Sequence, residues 1–248
     1  MTVMCLRSNP CNRFKPAVVS GWLARCAVIT ALLWPAWVSA QVAIPQAPPA
    51  DAESYVLMDF NSGHVIAEKD PHDPVEPASI TKLMTSYVAF HELKRGNIAL
   101  DDEVLISERA WRTGGSRMFI EVNTRVDLES LLKGIIIQSG NDASVAVAEH
   151  IAGTEAAFAL LMNEYAQFLG MDDTFYVNAT GLPDPNQVTS AHDSALLAQA
   201  IIEEFPEYYD WYSQREFTFE GIRQHNRNRL LWRDPSVDGL KTGHTEAA

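Results

Sequence analysis

An α+β fold is predicted, with an antiparallel sheet packed against helices and a mostly helical insertion, and three observations predict it. Short β-prone runs open the folded part at Tyr55 to Phe60 and His64 to Glu68, and similar runs close it at Arg215 to Phe219 and Val237 to Thr245. Between these groups the apolar residues recur at three- and four-residue steps, the period of a helix that buries one face. Of the 248 residues, 47% are hydrophobic and 21% charged, enough apolar material for a proper core. The economical architecture is one sheet assembled from early and late strands, with the helices inserted between them and a cleft at the junction.

Taken in order, the chain begins with forty residues that differ in kind from the rest. Arg7, Arg13, Lys15 and Arg25 are basic, no acidic residue occurs, and an apolar run from Cys26 to Val38 ends in Val38-Ser39-Ala40. This is the pattern of a secretory signal peptide, with cleavage expected after Ala40. The apolar run is shorter than the ~18 residues of a membrane span and contains Pro35. All three cysteines, Cys5, Cys11 and Cys26, lie in this segment, so the exported domain is expected to be stable without a disulfide. Residues 41–53, with Pro45, Pro48 and Pro49 among alanines, read as an extended linker. The domain proper is expected from residue 54 to residue 248.

A hairpin over 55–68 turns at Asn61-Ser62-Gly63, and Pro71 and Pro74 keep the approach to the next element non-helical. A helix starts near Ser79, buries a face made by Ile80, Leu83, Met84, Tyr87, Val88 and His91, and ends at Gly96. Asp127 caps a helix from Leu128 to about Gln138, which Ser139-Gly140-Asn141 breaks. Helices from Asp142 to Ala152 and from Thr154 to Leu169 close on Gly153 and Gly170. Ser190 with Asp193 resembles a capping box opening a helix to about Phe205, where Pro206 enforces a stop.

Charge excludes some partners. The 19 basic and 32 acidic residues give −13, and removal of the four basic residues of the first forty leaves 15 against 32, or −17. Nucleic acid is therefore not an expected partner. An anionic ligand would have to be held by a few local cations in a cleft. The seven histidines show no H-x-x-x-H or cysteine-linked spacing, so neither a metal nor another cofactor is expected, and His91 and His150 read as helix-surface or core residues.

Three short motifs carry the chemistry: Ser79-Ile80-Thr81-Lys82, Ser139-Gly140-Asn141 and Lys241-Thr242-Gly243. Residues three apart share a helix face, so the Lys82 amine reaches the Ser79 hydroxyl. Ser79 would also suit a plain helix N-cap. The other two motifs, one in an interhelical break and one in a strand, are each a common turn or surface sequence on their own. In this order and these settings they form a set known from penicillin-recognising serine enzymes.

Around them the stretches Glu76 to Lys82, Ile137 to Ala143, Asn226-Arg227-Asn228 and Val237 to Thr245 resemble the D-alanyl-D-alanine carboxypeptidases, the low-molecular-mass penicillin-binding proteins of bacterial envelopes. The resemblance runs from about Ser54 to the last residue. It implies a serine peptidase that removes the terminal D-alanine from peptidoglycan peptides and is acylated by β-lactams. It further implies Ser79 as nucleophile, Lys82 as its base, and Ser139 as proton relay to the leaving amine. Asn141 would hold the substrate amide and orient Lys82. Lys241 and Thr242 would face the terminal carboxylate, Gly243 would leave room for substrate, and the backbone N–H groups of Ser79 and His244 would hold the oxyanion.

Arg227 is a candidate for a supporting contact. The family's late arginine and its last strands are expected beyond residue 248, as are a β-rich second domain and an amphipathic anchor for peripheral attachment to the inner membrane. A periplasmic location at the outer face of that membrane is expected. Two other readings stay open: a serine β-lactamase, and a penicillin or cell-wall sensor that forms an adduct without turnover. The middle motif is Ser-Gly-Asn rather than Ser-Asp-Asn, and no E-x-x-L-N lies between Asn141 and Lys241, which sets the chain apart from class A β-lactamases.

Overall fold

The computed structural model describes residues 51–244. The expected signal peptide and the linker up to residue 50 lie outside the described residues, as does Thr245.

The first hairpin pairs β1 (Tyr55–Met58) with β2 (Val65–Lys69) in antiparallel register, Tyr55 facing Lys69 and Val56 facing Glu68. A single 3-10 turn, Ala78–Ile80, leads into α1 (Thr81–Arg95), which Gly96 ends at φ 72° in the left-handed region. The sequence anticipates one buried face on α1, yet every residue from Thr81 to Phe90 is buried. Other helices and the end of the 128–138 segment pack around it, so α1 is the axis of the domain rather than a surface helix.

Next come β3 (Glu103–Leu105), a one-turn α2 (Glu108–Arg112) capped by Ser107, and β4 (Arg125–Asp127), which pairs antiparallel with β3. Asp127 caps α3 (Leu128–Lys133), its carboxylate accepting from the Ser130 N–H at 2.8 Å. The expected helix to Gln138 is continuous but changes to a π turn over Gly134–Gln138. A side chain at Gly134 would run into Met118 Sδ, so this glycine lets the turn and the 116–120 loop approach closely. Ser139 ends the turn in the left-handed conformation, φ 66°.

Helices α4 (Asn141–Ala152) and α5 (Glu155–Phe168) follow, and Thr154 caps the latter. Ser190 caps α6 (Ala191–Glu204) by accepting from the Asp193 N–H at 3.1 Å. Pro206 stops α6 and starts the short α7 (Pro206–Tyr209), where a missing N–H costs nothing. Strands β5 (Glu216–Phe219) and β6 (Ile222–His225) form a second hairpin, and α8 (Leu230–Arg233) follows.

The α+β class is as predicted, but the single sheet is not. Among the described residues the strands make three separate two-stranded antiparallel sheets, and early strands do not pair with late ones. The expected late strand from Val237 is an extended segment over 237–244 without a ladder. Strand identity depends on a neighbour for its N–H and C=O groups, and no described strand lies beside this one. The core gathers α1, α3, α4, α5 and α6 around Met84, Tyr87, Phe90, Leu131, Ile135, Val147 and Phe158.

Candidate active site

The nucleophile segment is held in an unusual backbone. Ala78 has φ 46°, a left-handed conformation that costs an alanine about 1 kcal/mol and persists where surroundings enforce it. The enforcing element is a turn over 178–181. A Cβ on Gly181, itself at φ 79°, would overlap the Ala78 carbonyl. Ser79 is not a helix cap: Pro77 takes that position and no side chain caps the turn. The Ser79 hydroxyl is thus free of structural duty and faces Lys82, whose Nζ is 3.2 Å from Oγ.

Lys82 is 1% exposed. Its Nζ also donates to Asn141 Oδ1 at 2.7 Å and to the Thr180 carbonyl. An ammonium would fill all three contacts as donor. A neutral amine has two N–H groups and one lone pair, and the amide oxygen and the carbonyl can only accept. Those two acceptors therefore take both N–H groups, and the lone pair is left for the Ser79 hydroxyl proton. Burial, and then the Lys241 cation, hold the Lys82 amine well below the usual lysine range, while Asp142 opposes them weakly.

Asn141 is fixed by partners of opposite kind. Its Nδ2 donates to the Gly114 carbonyl at 2.7 Å, which orients Oδ1 toward Lys82. The next residue, Asp142, is fully buried and accepts from the N–H groups of Met118 at 3.0 Å, Phe119 at 3.0 Å and Ala143 at 2.9 Å. This carboxylate pins the 116–120 loop to the start of α4, and the Ser116 carbonyl in turn accepts from the Asn141 N–H at 2.7 Å. Ser139 meets the third motif: Lys241 Nζ donates to its Oγ at 2.9 Å and to the Thr242 carbonyl at 3.1 Å. Burial, then the nearby Arg227, lower Lys241 to about 7.

A cleft of about 1440 Å³ joins these parts, and Ser79, Ser139, Asn141, Thr242, Gly243 and His244 all line it. All eight residues singled out by the motifs therefore sit at or just behind one surface. Gly243 also has a packing role beside the expected one. A Cβ there would come within 3.2 Å of Ala78 Cβ, 3.3 Å of Ile80 Cγ1 and 3.4 Å of the Pro77 carbonyl, so the glycine lets the extended segment lie against the nucleophile turn.

Four contributors escaped the motif reading: the Thr180 carbonyl, Gly181, Gly115 and Asp142. A Cβ on Gly115, at φ 80°, would press on Asn141 Nδ2 at 2.6 Å. The sequence holds only a faint sign of the 178–181 turn, an asparagine three residues before a glycine. Asn178 Oδ1 indeed accepts from the N–H groups of Thr180 and Gly181 at 3.0 and 2.8 Å.

Comparison with known proteins bears on this geometry. The D-alanyl-D-alanine carboxypeptidase family of S11 peptidases matches residues 41–248. The chain belongs to this family. A curated family relative, D-alanyl-D-alanine carboxypeptidase DacA of Escherichia coli K12, is 47% identical over 212 residues, covering 83% of this chain and 53% of the relative. Among solved structures, penicillin binding protein 5 of Haemophilus influenzae superposes with a TM-score of 0.79 at 47% identity, over 81% of this chain and 60% of that one. Penicillin binding protein 6B of Escherichia coli gives 0.78 at 43% identity, over 82% and 67%. The chain thus spans about half the length of the curated family relatives it matches.

Proposed function

We propose that this chain is the catalytic part of a serine-type D-alanyl-D-alanine carboxypeptidase that trims the terminal D-alanine from peptidoglycan peptides and is acylated by β-lactams. The observation that carries the reading is the buried Lys82 amine, 3.2 Å from Ser79 Oγ, with its two N–H groups directed elsewhere. Family membership supports the reaction class.

In the proposed mechanism Ser79 Oγ adds to the carbonyl between the two D-alanines while Lys82 Nζ takes its proton. The N–H groups of Ser79 and His244 receive the oxyanion. Ser139 passes its proton to the departing D-alanine amine and takes one from Lys241 in return, and the C–N bond breaks to leave an ester on Ser79. Water then adds to the ester and releases the shortened peptide, its proton returning to Lys241 while Lys82 gives its own back to Ser79 Oγ. Lys241 and Thr242 receive the terminal carboxylate, with the local cation prevailing over the acidic remainder of the protein. Among the described residues that line the cleft, Glu76 is the one carboxylate. No E-x-x-L-N segment lies between Asn141 and Lys241, so a slow-hydrolysing β-lactam adduct is expected, as in a peptidase and unlike a class A β-lactamase.

Export to the periplasm, work at the outer face of the inner membrane and a part in peptidoglycan remodelling and cell shape belong to the same proposal. Its support is the basic-apolar-small pattern of the first forty residues. The deciding experiment is intact mass after benzylpenicillin, with mapping of the modified peptide, together with D-alanine release from a pentapeptide. A stable adduct on Ser79 and released D-alanine are expected. Rapid loss of the adduct would instead point to a β-lactamase, and an adduct without D-alanine release to a sensor.

A further inference from the structure

Glu155 is a buried carboxylate that neither the three motifs nor the mechanism uses. It opens α5 just after the Thr154 cap, where an acidic side chain suits the positive end of the helix and is ordinarily left in water. Here the residue is 7% exposed. Its two oxygens face different elements: Oε1 accepts from the Ala179 N–H at 3.1 Å, and Oε2 accepts from Arg109 Nη2 of α2 at 2.5 Å. A carboxylate leaves water only where its partners offset the loss, so these two bonds are what turn the side chain inward.

Ala179 belongs to the 178–181 turn, whose Thr180 carbonyl receives one N–H of Lys82. Most N–H groups of this stretch are satisfied from within it or from Gln187. Gln187 Oε1 accepts from Val177 and Asn178 at 3.1 and 3.0 Å, Asn178 Oδ1 from Thr180 and Gly181, and Thr180 Oγ1 from Leu182 at 3.1 Å. These bonds shape the turn without fixing it against the helices. Besides Lys82 itself, two side-chain bonds from helices do that: Thr85 Oγ1 to the Ala179 carbonyl at 2.8 Å, and Glu155 to the Ala179 N–H. Beside the turn lies a second cavity of about 240 Å³, whose lining includes Arg109, Gly114, Glu155, Asn178 and Thr180. Close packing does not back the turn there, so its placement depends on polar bonds.

We infer that Glu155 is a positioning residue for the general base: by holding the Ala179 N–H it keeps the Thr180 carbonyl against Lys82 Nζ. The inference deepens the reading of Lys82 as base and rests on it. The charged groups that act on Lys82 are Lys241 and Asp142, whereas the hydrogen-bond partners of the Glu155 side chain among the described residues are Ala179 and Arg109. Glu155 therefore works through the placement of the turn and not through its charge. Where the turn drifts, water reaches the amine, the penalty on its charged form shrinks, and Lys82 holds its proton to a higher pH. Arg109 is 66% exposed along its side chain, so water can take its place beside Glu155.

The test is the pH profile of acylation by a fluorescent penicillin, with a denaturant melt of each protein. In Glu155→Ala the acid limb should move up by about one pH unit, and the rate on that limb should fall roughly tenfold. Glu155→Gln keeps an acceptor oxygen of the same reach and should hold the limb within about 0.2 unit of the parent. Glu155→Asp is one methylene too short and should shift it by roughly 0.7 unit. Arg109→Ala should change the rate by less than about twofold. Met162→Ala opens a hole in the buried side of the same helix, so it should lower the melt and leave the limb in place, which separates positioning from general loosening. An unmoved limb in Glu155→Ala overturns the inference, and so does a limb that moves as far in Met162→Ala. Where Glu155→Ala gives no cooperative melt, Glu155→Asp against Glu155→Gln decides, and equal limbs in those two overturn it. A parent profile without an acid limb would sink the base assignment and the inference together, whereas an acid limb indifferent to Glu155 sinks the inference alone.

Discussion

Around Ser79 the Lys82 amine meets partners from three different segments, whereas residues 237–244, which have no ladder, hang on a few side-chain bonds. On the first side α1, the 178–181 turn and the start of α4 converge on Lys82, and Thr85 Oγ1 adds a bond to the Ala179 carbonyl at 2.8 Å. On the second, Asn228 holds the Gly239 carbonyl at 2.8 Å, Tyr209 OH donates to Asp238 Oδ1 at 2.8 Å, and Lys241 reaches Ser139. The difference matches the tasks. Both lysines owe their lowered proton affinity first to burial, but Lys82 is held by three bonding partners and lies further from water. Receiving an anionic ligand requires cations that remain open to it.

The sharpest break of this contrast is Lys82→Arg. Guanidinium stays protonated, so acylation by a fluorescent penicillin should fall on the order of 10³-fold. Labelling near the parent rate would remove Lys82 from the base role. Next is Gly181→Ala on the tight side. The left-handed φ and the overlap with Ala78 together should cost about 3 kcal/mol in a denaturant melt and take acylation with them. A melt within about 0.5 kcal/mol of the parent would show that the turn yields, and that it does not enforce the strain at Ala78.

The two lysines should separate in pH. Both are depressed, so each is a cation below its shifted value and neutral above it. Acylation should rise with pH as Lys82 sheds its proton, up to about tenfold per pH unit on the acid limb. Affinity for a carboxylate-ended peptide should fall as pH passes about 7, where Lys241 loses charge. The expected record is a KM that climbs above that pH, and a KM flat to pH 9 would contradict it. The smallest effect belongs to Gly243→Ala on the open side. Its new Cβ meets neighbours at 3.2 to 3.4 Å, so the segment should shift by tenths of an ångström. A loss of roughly threefold in acylation with little change in the melt is expected. A loss as large as that of Gly181→Ala would mean the two walls are equally rigid.

Much of this was legible in the chain itself. The caps at Asp127, Thr154 and Ser190 and the left-handed stops at Gly96, Gly153 and Gly170 are local chemistry, read from one residue and its near neighbours. The pairing of Ser79 with Lys82 is likewise local, one helical turn. The resemblance carried by the three motifs brought Ser139, Asn141 and Lys241 to the same place before any coordinate. What the chain did not disclose has a common cause. A backbone carbonyl such as that of Thr180 has no residue signature. The buried role of Asp142 depends on a loop 22 to 24 residues away in sequence.

The sequence by itself determined the longer helices and their ends, because these follow from short-range sterics and hydrogen bonding, and its motifs named the reacting side chains by resemblance. The tertiary structure alone decided that α1 is buried all round, that Ser79 is released from capping, and that Lys82 has both N–H groups occupied. It also decided that the described strands stand as three separate two-stranded sheets. Burial and pairing are properties of what lies alongside, and no stretch of chain specifies its neighbours alone.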